Sequence, residues 1–576
     1  MILERISPET VRELNLKQLN VLCDELREVI HDTVMKCGGH LASNLGAVES
    51  TVALFSVFYF KKDKIVFDVG HQCYSYKLLS GRFSNFSTLR KENGISGFPK
   101  RAESLYDCYD TGHAGTAISA ALGIAKARDL KKEDYTVIAY VGDGSFNNGL
   151  VYEALTSLKI MNTKILIILN DNGMSISPTV GGMHEILEDL SGNTFNSKGV
   201  SLLEEFGLTY LGVKDGNDCA EMITALTEAK SLLERGSVLL HISTKKGKGY
   251  QFSEEDPTST HGVASIGAKK EKEYSAVLGE TLCELAQKND KISVVCAAML
   301  ESLGLKNFFK QYPERAFDVG ICEENATVLC AAMGTAGLKP YYAIYSTFLQ
   351  RSFDEIIHDV CAQDSPVTFC IDRAGISGAD GETHQGVFDL SYLSLIPNLA
   401  IAVPKDLNEF KRMLAFSEQY NHPLAIRYPR SGVKSFKGEA EEVELGRWEY
   451  IRRGEEDLAI IATGERCMTI AMEICEQLDE MNHSVDVINA RFVKPIDENM
   501  LRSLNKQNII TIEDNVAIGG LGAMINNFVT QNSMSYKVKN FAYRDEFIHH
   551  GSVPSLQKKF GVNKESIKAY ILECLQ

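Results

Sequence analysis

Two short polar loops follow neighbouring apolar runs in the first third of the sequence. "YVGDG" (140–144) puts Asp143 between two glycines, and "NDNGM" (170–174) follows one helix-length stretch and the next apolar run. A right-handed crossover brings both loops to the carboxyl ends of adjacent parallel strands, so Asp143 and Asn172 should face one another. Carboxylate, amide and carbonyl oxygens suit Mg²⁺, which often takes further ligands from phosphates and water.

The same edge of the predicted sheet suits a diphosphate. The glycines let an anion approach the backbone, and the helix predicted over 145–161 directs its N-terminus at it. The plainer interpretation is a helix-capping aspartate and an unrelated turn asparagine, which "GDG" alone would favour. "GDG" followed by "NDN" one crossover later is more specific, and indicates a metal–diphosphate site.

A second chemical candidate is Glu323 in "FDVGICEENATV" (317–328), where a predicted strand ends and a helix begins. A lone glutamate there usually complements the helix dipole. Together with a diphosphate site, a catalytic role becomes the better hypothesis, since burial would raise its pKa toward the range that proton transfer needs.

The elements that must position these residues alternate along the whole chain. Short apolar, mostly β-branched runs separated by amphipathic stretches predict mainly parallel sheets flanked by helices, an α/β fold. The predicted strands lie in "KIVFDVG", "YTVIAYVGDG", "KILIILNDN", "VLLHIST", "KISVVCA", "PVTFCIDRAG", "LAIAVP", "DLAIIATG", "SVDVINA" and "NIITIEDN".

Two polar stretches interrupt this alternation, at 262–275 and 431–446. We interpret them as linkers between three domains of ordinary size. The predicted domains span residues 1–265, 276–432 and 441–576.

Composition excludes several classes of partner. The net charge of −16 argues against nucleic acid or an anionic membrane surface, so any phosphate must be bound locally. The cysteines form no CxxC pair, and the N-terminal residues lack a signal-peptide pattern. No apolar stretch reaches the ~20 residues of a spanning helix. We therefore expect a cytoplasmic protein.

The chain also resembles a known family over nearly its whole length. The motifs that carry the resemblance are "GGHLASNLG", "FDVGHQCYSYKLLSGR", "TGHAGTAISAALG", "KGKGY", "YSTFLQRSFDEIIHDV", "IDRAGISGADGETHQGVFDLSYL", "IRYPRSG" and "RFVKPID". In order and spacing they resemble the 1-deoxy-D-xylulose-5-phosphate synthase family of transketolase-like thiamine-diphosphate enzymes, and "YSTFLQR" and "DRAG" differ from transketolase itself. The resemblance implies that domain 1–265 binds the diphosphate and Mg²⁺, that domain 276–432 binds the aminopyrimidine, and that 441–576 is the C-terminal transketolase-like domain.

This resemblance implies roles for individual residues. The implied metal ligands are Asp143, Asn172 and Met174, the last through its carbonyl. The implied cofactor contacts are His71, Gly112, His113, Ala114, Gly144, Ser145, Asn172, Tyr250, Glu323 and Phe348. The implied catalytic residues are Glu323, His40, His71, His261 and His384, and the implied substrate contacts are Tyr345, Arg373, Asp380 and Arg427.

Each of these roles has a plainer alternative. A single histidine is more often structural, although four in motif context, with a pKa near 6.5, suit proton transfer at neutral pH. A lone arginine is more often a surface ion pair than a phosphate ligand, although guanidinium groups bind phosphate bidentately. Arg373 and Arg427 match the family's phosphate-binding positions, and Arg430 is the next candidate.

The resemblance implies a homodimeric transferase that uses thiamine diphosphate and Mg²⁺. Its substrates would be pyruvate and D-glyceraldehyde 3-phosphate, and its products CO₂ and 1-deoxy-D-xylulose 5-phosphate, a precursor for isoprenoid, thiamine and pyridoxal synthesis. The alternatives are transketolase-type ketol transfer, which releases no CO₂, and a catalytically silent cofactor-binding homologue. The silent homologue should have lost Glu323 or the metal ligands, yet both are present.

The sequence departs from the family pattern at two places. Glu324 and Asn325 stand where glutamine and histidine are expected, so a second carboxylate should perturb Glu323 without removing it. The loop after Gly182 is shorter than in many relatives, which puts the local lid structure in doubt but not the chemistry.

Overall fold

The computed structural model describes residues 1–191, 197–264, 272–432, 434–438 and 442–576. These form two compact units. One unit contains Met1–Lys269 with Gly320–Cys322, and the other contains Lys270–Val319 with Glu323–Gln576.

The first unit contains one five-stranded sheet with strand order β1-β2-β3-β5-β4, and every pairing in it is parallel. The strands are β1 (Lys64–Phe67), β2 (Val137–Gly142), β3 (Leu166–Asp171), β4 (Leu208–Asp215) and β5 (Ser237–Ser243). The helices are α1 (Leu16–Cys37), α2 (Ala42–Gly46), α3 (Val48–Val57), α4 (Tyr74–Lys77), α5 (Ala117–Lys131), α6 (Asp143–Phe146), α7 (Gly149–Met161), α8 (Gly182–Ser191), α9 (Ser197–Glu205), α10 (Cys219–Leu232) and α11 (Gln251–Glu255), with short 3₁₀ or π turns at Thr10–Glu13, Leu78–Arg82 and Phe83–Thr88.

The central strands of this sheet are buried on both faces, which is why they are almost entirely apolar. Along β2, Ile138 and Tyr140 join one hydrophobic core, and Ala139 and Val141 join the other. This alternation fixes the register of the sheet, because a slip by one residue would exchange the two sets of side chains.

The second unit contains two larger sheets and a strand pair. A seven-stranded sheet has the order β17-β11-β12-β10-β9-β7-β8 and is parallel except for β17, while a five-stranded sheet has the order β14-β16-β15-β18-β19 and is parallel except for β14. The strands are β6 (Lys272–Glu273), β7 (Ile292–Cys296), β8 (Ala316–Asp318), β9 (Lys339–Tyr345), β10 (Thr368–Asp372), β11 (Ala400–Ala402), β12 (Leu424–Arg427), β13 (Ser431–Gly432), β14 (Glu449–Arg452), β15 (Leu458–Ala462), β16 (Asp486–Asn489), β17 (Phe492–Lys494), β18 (Asn508–Val516) and β19 (Lys537–Tyr543).

Helices connect these strands in the order expected for α/β units. They are α12 (Tyr274–Ala286), α13 (Lys306–Gln311), α14 (Glu323–Thr335), α15 (Ser346–Leu349), α16 (Phe353–Glu355), α17 (Asp389–Ser394), α18 (Leu407–Gln419), α19 (Glu465–Asp479), α20 (Glu498–Ser503), α21 (Leu521–Gln531), α22 (Val553–Phe560) and α23 (Lys564–Leu575), with short 3₁₀ or π turns at Pro313–Arg315, Gln350–Ser352, Ile356–Cys361 and Gly381–Thr383.

The predicted α/β fold class is confirmed, and each predicted strand run contains a strand. The single helix predicted over 145–161 is wrong at its start, because Asn148 adopts extended backbone angles and its side chain caps α7 by accepting from the amide of Leu150. The two predicted linkers contain β6 and β13, which pair antiparallel. Residues 265–271, 433 and 439–441 of the linkers lie outside the described residues, as do 192–196 in the loop region after Gly182.

Two further properties bear on the sequence predictions. Across the part of the chain that the structure describes, no helix has the length and hydrophobicity needed to cross a membrane. All fourteen cysteines are free thiols.

Candidate active site

The carboxyl ends of β2, β3 and β5 form the first part of the site. Gly142 at the end of β2 pairs with Asn170 of β3, so the loops that carry Asp143 and Asn172 leave the sheet side by side. The backbone amide of Asn172 donates to the Asp143 carboxylate. The structure therefore brings these two residues together, as the predicted crossover required.

Asp143 is held in a low-dielectric pocket. Only 1% of it is exposed, and its Oδ2 accepts a hydrogen bond from the hydroxyl of Thr179 at 2.6 Å. Burial raises the pKa of Asp143 to about 6, the negative charge of Asp171 adds to the rise, and the bond from Thr179 opposes it. A cation bound to this carboxylate would offset the free-energy cost of burying its negative charge.

Asn172 offers the matching oxygen. Its Oδ1 is buried and has no hydrogen-bond partner among the described residues, although buried polar atoms are normally paired. Met174 lies in the same turn, which is closed by a bond from the amide of Thr179 to the carbonyl of Gly173 at 3.0 Å. A carboxylate beside an unpaired amide oxygen fits a small hard cation.

The described residues hold no cluster of three or more histidine, cysteine, aspartate or glutamate side chains with metal-binding geometry. A divalent ion at Asp143 would therefore depend on amide and carbonyl oxygens and on ligands from outside the protein.

Three predicted histidines lie together in the first unit. The ring centroids of His40, His71 and His261 are 5.5–5.8 Å apart. The side chain of Asn44 donates to the carbonyls of His40 and His71 at 2.8 and 2.7 Å, which fixes the two segments relative to each other. Burial lowers the pKa of both His71 and His261 well below the usual range, so these imidazoles are neutral at pH 7.

His71 follows a strained turn. Val69 has φ +58° and Gly70 has φ +89°, and a β-branched residue rarely adopts a positive φ. A Cβ on Gly70 would lie 2.3 Å from Cδ of Pro99, so glycine is required there. Strain of this kind persists where the surroundings fix a functional conformation.

The segment from Gly112 to Gly115 is fixed by Asp68 at the end of β1. The carboxylate of Asp68 accepts bonds from the amides of Gly115 and Ala117 at 2.9 and 3.0 Å. Gly115 has φ +84°, and a Cβ there would lie 2.4 Å from Oδ1 of Asn148. This loop therefore presents His113 and Ala114 on a rigid backbone.

Gly144 and Ser145 continue from Asp143 into α6. A Cβ on Gly144 would lie 2.8 Å from Cβ of Ser175, so the two loops of the site approach closely only because residue 144 is glycine. Ser145 is 5% exposed.

Sequence reasoning missed Lys246, which follows β5. This lysine is 6% exposed, and its ammonium donates to the carbonyl of Ser175. Burial lowers its pKa to about 8, and the charge of Asp143 opposes that shift. Because β5 pairs with β3, the rule that placed Asp143 beside Asn172 also pointed to the "TKKGKGY" loop.

Tyr250, from the same loop, has different neighbours. Its ring stacks on His31 at a centroid distance of 4.2 Å and an interplanar angle of 10°, outside the cluster of His40, His71 and His261. The predicted cofactor contact for Tyr250 stays a prediction.

In the second unit, the residue of interest is Glu323, the first residue of α14. Glu323 is 4% exposed, and its Oε2 makes no hydrogen bond with any residue that the structure describes. Nη1 of Arg351 lies 3.7 Å from that oxygen. Burial raises the pKa of Glu323 to about 7, Arg351 opposes the rise, and Glu324 adds to it. The predicted perturbation by Glu324 is therefore present.

Four predicted residues of the second unit form one continuous series of side-chain contacts. The guanidinium of Arg373 lies 4.0 Å from the ring centre of Tyr345, which stacks on Phe348 at 5.7 Å and 12°. Phe348 in turn meets the ring of His384 edge-on at 5.7 Å. A guanidinium, a phenol, a phenyl ring and an imidazole therefore lie next to one another in this order.

Asp380 lies on the loop that leads to His384. That loop is folded around the side chain of Gln385, whose Oε1 accepts from the amides of Ser377 and Gly378 at 2.7 and 3.1 Å. A hydrogen bond of 2.9 Å joins Thr383 Oγ1 to Nδ1 of His384. The loop is thus ordered from within and holds both predicted residues.

Arg427 is buried in a network of hydrogen bonds. It is 3% exposed, its Nε donates to Asp389 at 2.8 Å, and its Nη2 donates to the carbonyls of Gly386 and Asp514 at 3.3 and 3.2 Å. These bonds tie three segments together through Nε and Nη2, and the phosphate contact of Arg427 stays a prediction.

Arg430 is more exposed. Its side chain is 60% exposed, and its Nε donates to Glu273 at 3.2 Å. Burial raises the pKa of Tyr345, and the positive charges of Arg373 and Arg430 both oppose that rise, which places the two arginines near one phenol.

Comparison with known proteins identifies the family. A family model described as "1-deoxy-D-xylulose-5-phosphate synthase" matches residues 3–199 and 193–244. Models for the transketolase pyrimidine-binding domain and the transketolase C-terminal domain match residues 270–435 and 446–567. Among solved structures, a transketolase from Campylobacter jejuni is 18% identical, with a TM-score of 0.47 over 97% of this chain and 100% of that one.

Curated relatives match the chain from end to end. The 1-deoxy-D-xylulose-5-phosphate synthase of Clostridium beijerinckii is 45% identical over 98% of both chains, and that of Clostridium perfringens strain 13 is 40% identical over 100% of both. The first alignment spans 610 positions, more than the 576 residues here, so that relative carries segments that this chain lacks. Because this agreement covers all three sheets, the resemblance inferred from the motifs is confirmed, and the chain belongs to the 1-deoxy-D-xylulose-5-phosphate synthase family.

Proposed function

We propose that the protein decarboxylates pyruvate and joins the remaining two-carbon unit to D-glyceraldehyde 3-phosphate, giving 1-deoxy-D-xylulose 5-phosphate and CO₂. Family membership makes it a thiamine-diphosphate-dependent transferase. The observation that carries the proposal is Glu323 at the start of α14, a buried carboxyl with a pKa of about 7 whose Oε2 accepts no hydrogen bond from a described residue.

The first unit would hold the diphosphate end of the cofactor and a Mg²⁺ ion. Asp143, Asn172 and the carbonyl of Met174 supply hard oxygen ligands, and the unpaired Oδ1 of Asn172 supports this assignment. Lys246 adds a buried positive charge beside Asp143. The proposed cofactor contacts in this unit are His71, Gly112, His113, Ala114, Gly144, Ser145, Asn172 and Tyr250.

The second unit would hold the aminopyrimidine ring. Bound thiamine diphosphate supplies the electron sink for decarboxylation. Glu323 exchanges a proton with the ring nitrogen, a role that suits a carboxyl with a pKa near neutrality. Phe348 offers an aromatic face, and its contacts with Tyr345 and His384 hold that face in place.

The histidines would handle the substrate protons. His71 and His261 are neutral, so each can accept a proton from a hydroxyl, and their contacts with His40 provide neighbours for proton transfer. His384, Tyr345 and Asp380 would face the substrate from the second unit.

The acceptor phosphate would be bound by Arg373 with Arg430. An acidic protein does not attract a phosphate ester over long range, so local guanidinium groups must bind it. Arg427 would support the site structurally through Asp389. The homodimer and the cytoplasmic location stay predictions.

The reaction is tested by measuring CO₂ release from labelled pyruvate with and without D-glyceraldehyde 3-phosphate. We expect CO₂ and 1-deoxy-D-xylulose 5-phosphate in equal amounts when both substrates are present. Turnover of a ketose phosphate donor without CO₂ would instead identify a transketolase, and no turnover with either donor would identify a silent homologue.

The arginines are tested with the phosphorylated and unphosphorylated aldehydes. Arg430→Ala should raise the KM for D-glyceraldehyde 3-phosphate roughly 10- to 100-fold, because a lost hydrogen bond to a charged group costs about 1.5–3 kcal/mol, and it should affect glyceraldehyde much less. Arg427→Ala is the matched control, and should lower the melting temperature and impair both aldehydes alike. The reverse pattern would return the phosphate role to Arg427.

A further inference from the structure

A buried chain of three side chains lies behind the proposed metal loop. The hydroxyl of Tyr210 is 2.9 Å from Nδ1 of His241, and Nε2 of His241 is 3.1 Å from Oδ2 of Asp171. His241 has no exposed surface, and Asp171 is 8% exposed. None of these residues belongs to the set predicted from the sequence, yet Asp171 lies between Asn170 and Asn172.

The register of the sheet explains how the chain forms. His241 of β5 pairs with Leu169 of β3, so its side chain emerges on the same face as Asp171, two residues further along β3. An ionised carboxylate only accepts hydrogen bonds, so Nε2 carries the hydrogen toward Asp171. In the neutral imidazole Nδ1 is then an acceptor, and the phenol of Tyr210 donates to it.

Regular pairing of β4 with β5 brings Tyr210 into place. Tyr210 pairs with Leu239, so its side chain lies on the same face as His241, two residues further along β5, and the register shifts only beyond it, between Leu211 and Lys214. A Cβ on Gly212, within this shift, would lie 2.3 Å from the hydroxyl of Tyr210 and 2.9 Å from Cβ of His241. Glycine at 212 therefore makes room for the ring of Tyr210 over His241.

The other oxygen of Asp171 holds the metal loop itself. Its Oδ1 accepts a bond from the amide of Gly173 at 3.0 Å, in a turn where Gly173 has φ +69°. On the opposite side, the side chain of Asn170 bonds Gln72 at 3.1 Å and Thr244 at 2.6 Å. The backbone on both sides of Asn172 is thus fixed by its neighbours, while Oδ1 of Asn172 stays unpaired.

We propose that His241 is a positioning residue for divalent-metal binding. With Tyr210 behind it, His241 holds the Asp171 carboxylate so that Asn172 and Met174 are presented in a fixed turn. This inference rests on the proposed metal site at Asp143, Asn172 and Met174. Removal of a partner that orients a metal ligand typically weakens metal binding 10- to 100-fold.

The test measures Mn²⁺ binding rather than turnover. Full-length protein is titrated with Mn²⁺ at saturating thiamine diphosphate, and free Mn²⁺ is followed by electron paramagnetic resonance. His241→Leu should raise the Mn²⁺ dissociation constant at least about 10-fold. His241→Gln keeps an amide donor for Asp171 and should restore most of the affinity, whereas Tyr210→Phe should cost a few-fold at an unchanged melting temperature.

The Asp143→Asn variant distinguishes two outcomes: that His241 has no positioning role, or that the proposed metal site is wrong. If Asp143→Asn loses Mn²⁺ and His241→Leu does not, the positioning role is overturned and the metal site stands. If both bind Mn²⁺ like the wild type, the metal assignment fails and the inference fails with it. Equal losses in the Leu and Gln variants would overturn the hydrogen-bond explanation.

Tyr210→Phe and Gly212→Ala decide the question if His241→Leu does not fold. Gly212→Ala displaces the ring of Tyr210 without touching Asp171. Both variants should weaken Mn²⁺ binding. Tyr210→Phe should melt like the wild type in the absence of metal, whereas Gly212→Ala should melt at a lower temperature because its Cβ meets Tyr210 and His241. Wild-type affinity in both would overturn the proposal.

Discussion

Two buried glutamates of the second unit differ in what surrounds their oxygens. Glu323 begins α14 and Glu513 lies on β18, and burial raises the pKa of each to about 7. Glu513 accepts bonds from the amides of Leu521 and Gly522 at 2.7 and 3.0 Å, at the start of α21. Glu323 has an oxygen with no hydrogen bond to any described residue.

The difference shows that a raised pKa does not by itself mark a catalytic carboxyl. The pKa values of both carboxyl groups are raised because burial removes them from solvent. Glu513, however, stabilises the start of a helix whose amides would otherwise be unpaired. The backbone at Gly520 passes so close that a Cβ would lie 2.1 Å from Oε2 of Glu513. A ligand can reach an unpaired oxygen, whereas Glu513 has none to offer.

The largest expected effect distinguishes Glu323 from Glu513 by their part in proton transfer. Glu323→Ala should slow hydrogen–deuterium exchange at the thiazolium carbon of bound thiamine diphosphate at least 100-fold, because proton-transfer residues contribute about 10²–10⁴-fold. Cofactor affinity should be retained. Exchange followed by NMR after acid quench measures this rate.

Glu513→Ala is the matched control and should leave exchange in the bound cofactor near the wild-type rate. Unchanged exchange in Glu323→Ala would show that another group activates the ring.

The second effect separates the two glutamates by stability. Glu513→Ala should lower the free energy of unfolding by about 2–4 kcal/mol, since two buried amides at the start of α21 lose their acceptor. Glu323→Ala should cost less, because its Oε2 accepts no hydrogen bond and loses only the 3.7 Å contact with Arg351. Urea unfolding at pH 5, where both carboxyls of the folded protein are protonated, compares the variants, and equal losses would contradict the distinction.

The third effect is the pH dependence of stability. Each carboxyl has a folded pKa of about 7 against an ordinary value of 4.5, so the folded state binds more protons between these values. The contribution of each carboxyl to the free energy of unfolding is therefore fully present below about pH 4.5, and it is lost as the pH rises to about 7. Glu323→Gln and Glu513→Gln should each flatten this fall by about 3 kcal/mol. A wild-type slope in either variant, measured by urea unfolding from pH 4.5 to 8, would mean that its pKa is not raised.

The smallest effect concerns the second carboxylate of α14. Glu324 adds to the rise in the pKa of Glu323, so Glu324→Gln should lower the apparent pKa of thiazolium exchange by roughly 0.5 unit. Asp354→Asn is the control, since Asp354 is not among the groups that shift Glu323. An unchanged pH profile in Glu324→Gln would show that solvent screens the pair.

The sequence predicted features that follow from periodicity and local topology. Continuous apolar runs located most of the buried strands, although the central strands β9 and β12 of the seven-stranded sheet were missed, and the rule for parallel crossovers placed Asp143 beside Asn172. Strands β4 and β19 were missed because most of their residues are partly exposed and form no continuous apolar run. The break before α7 was missed because Asn148 caps that helix with its own side chain.

Long-range partners could not be predicted from one sequence. Asp389 lies 38 residues before Arg427, and no local pattern indicates that the two bond and that Arg427 is thereby withdrawn from solvent. The same holds for His241 and Asp171, which are 70 residues apart. Such pairs depend on which strands become neighbours, and that is settled only when the whole sheet forms.

Strand β17 has a consequence for how the chain can be divided. It comes from the segment after the second predicted linker, yet it pairs antiparallel with β11 at the end of the seven-stranded sheet. A fragment that stops at residue 432 would keep the pairing of β11 with β12 but leave the other edge of β11 unpaired, and exposed strand edges recruit other chains. We therefore expect a truncated protein that ends between the two sheets to aggregate unless the segment that contains β17 is supplied as a separate chain.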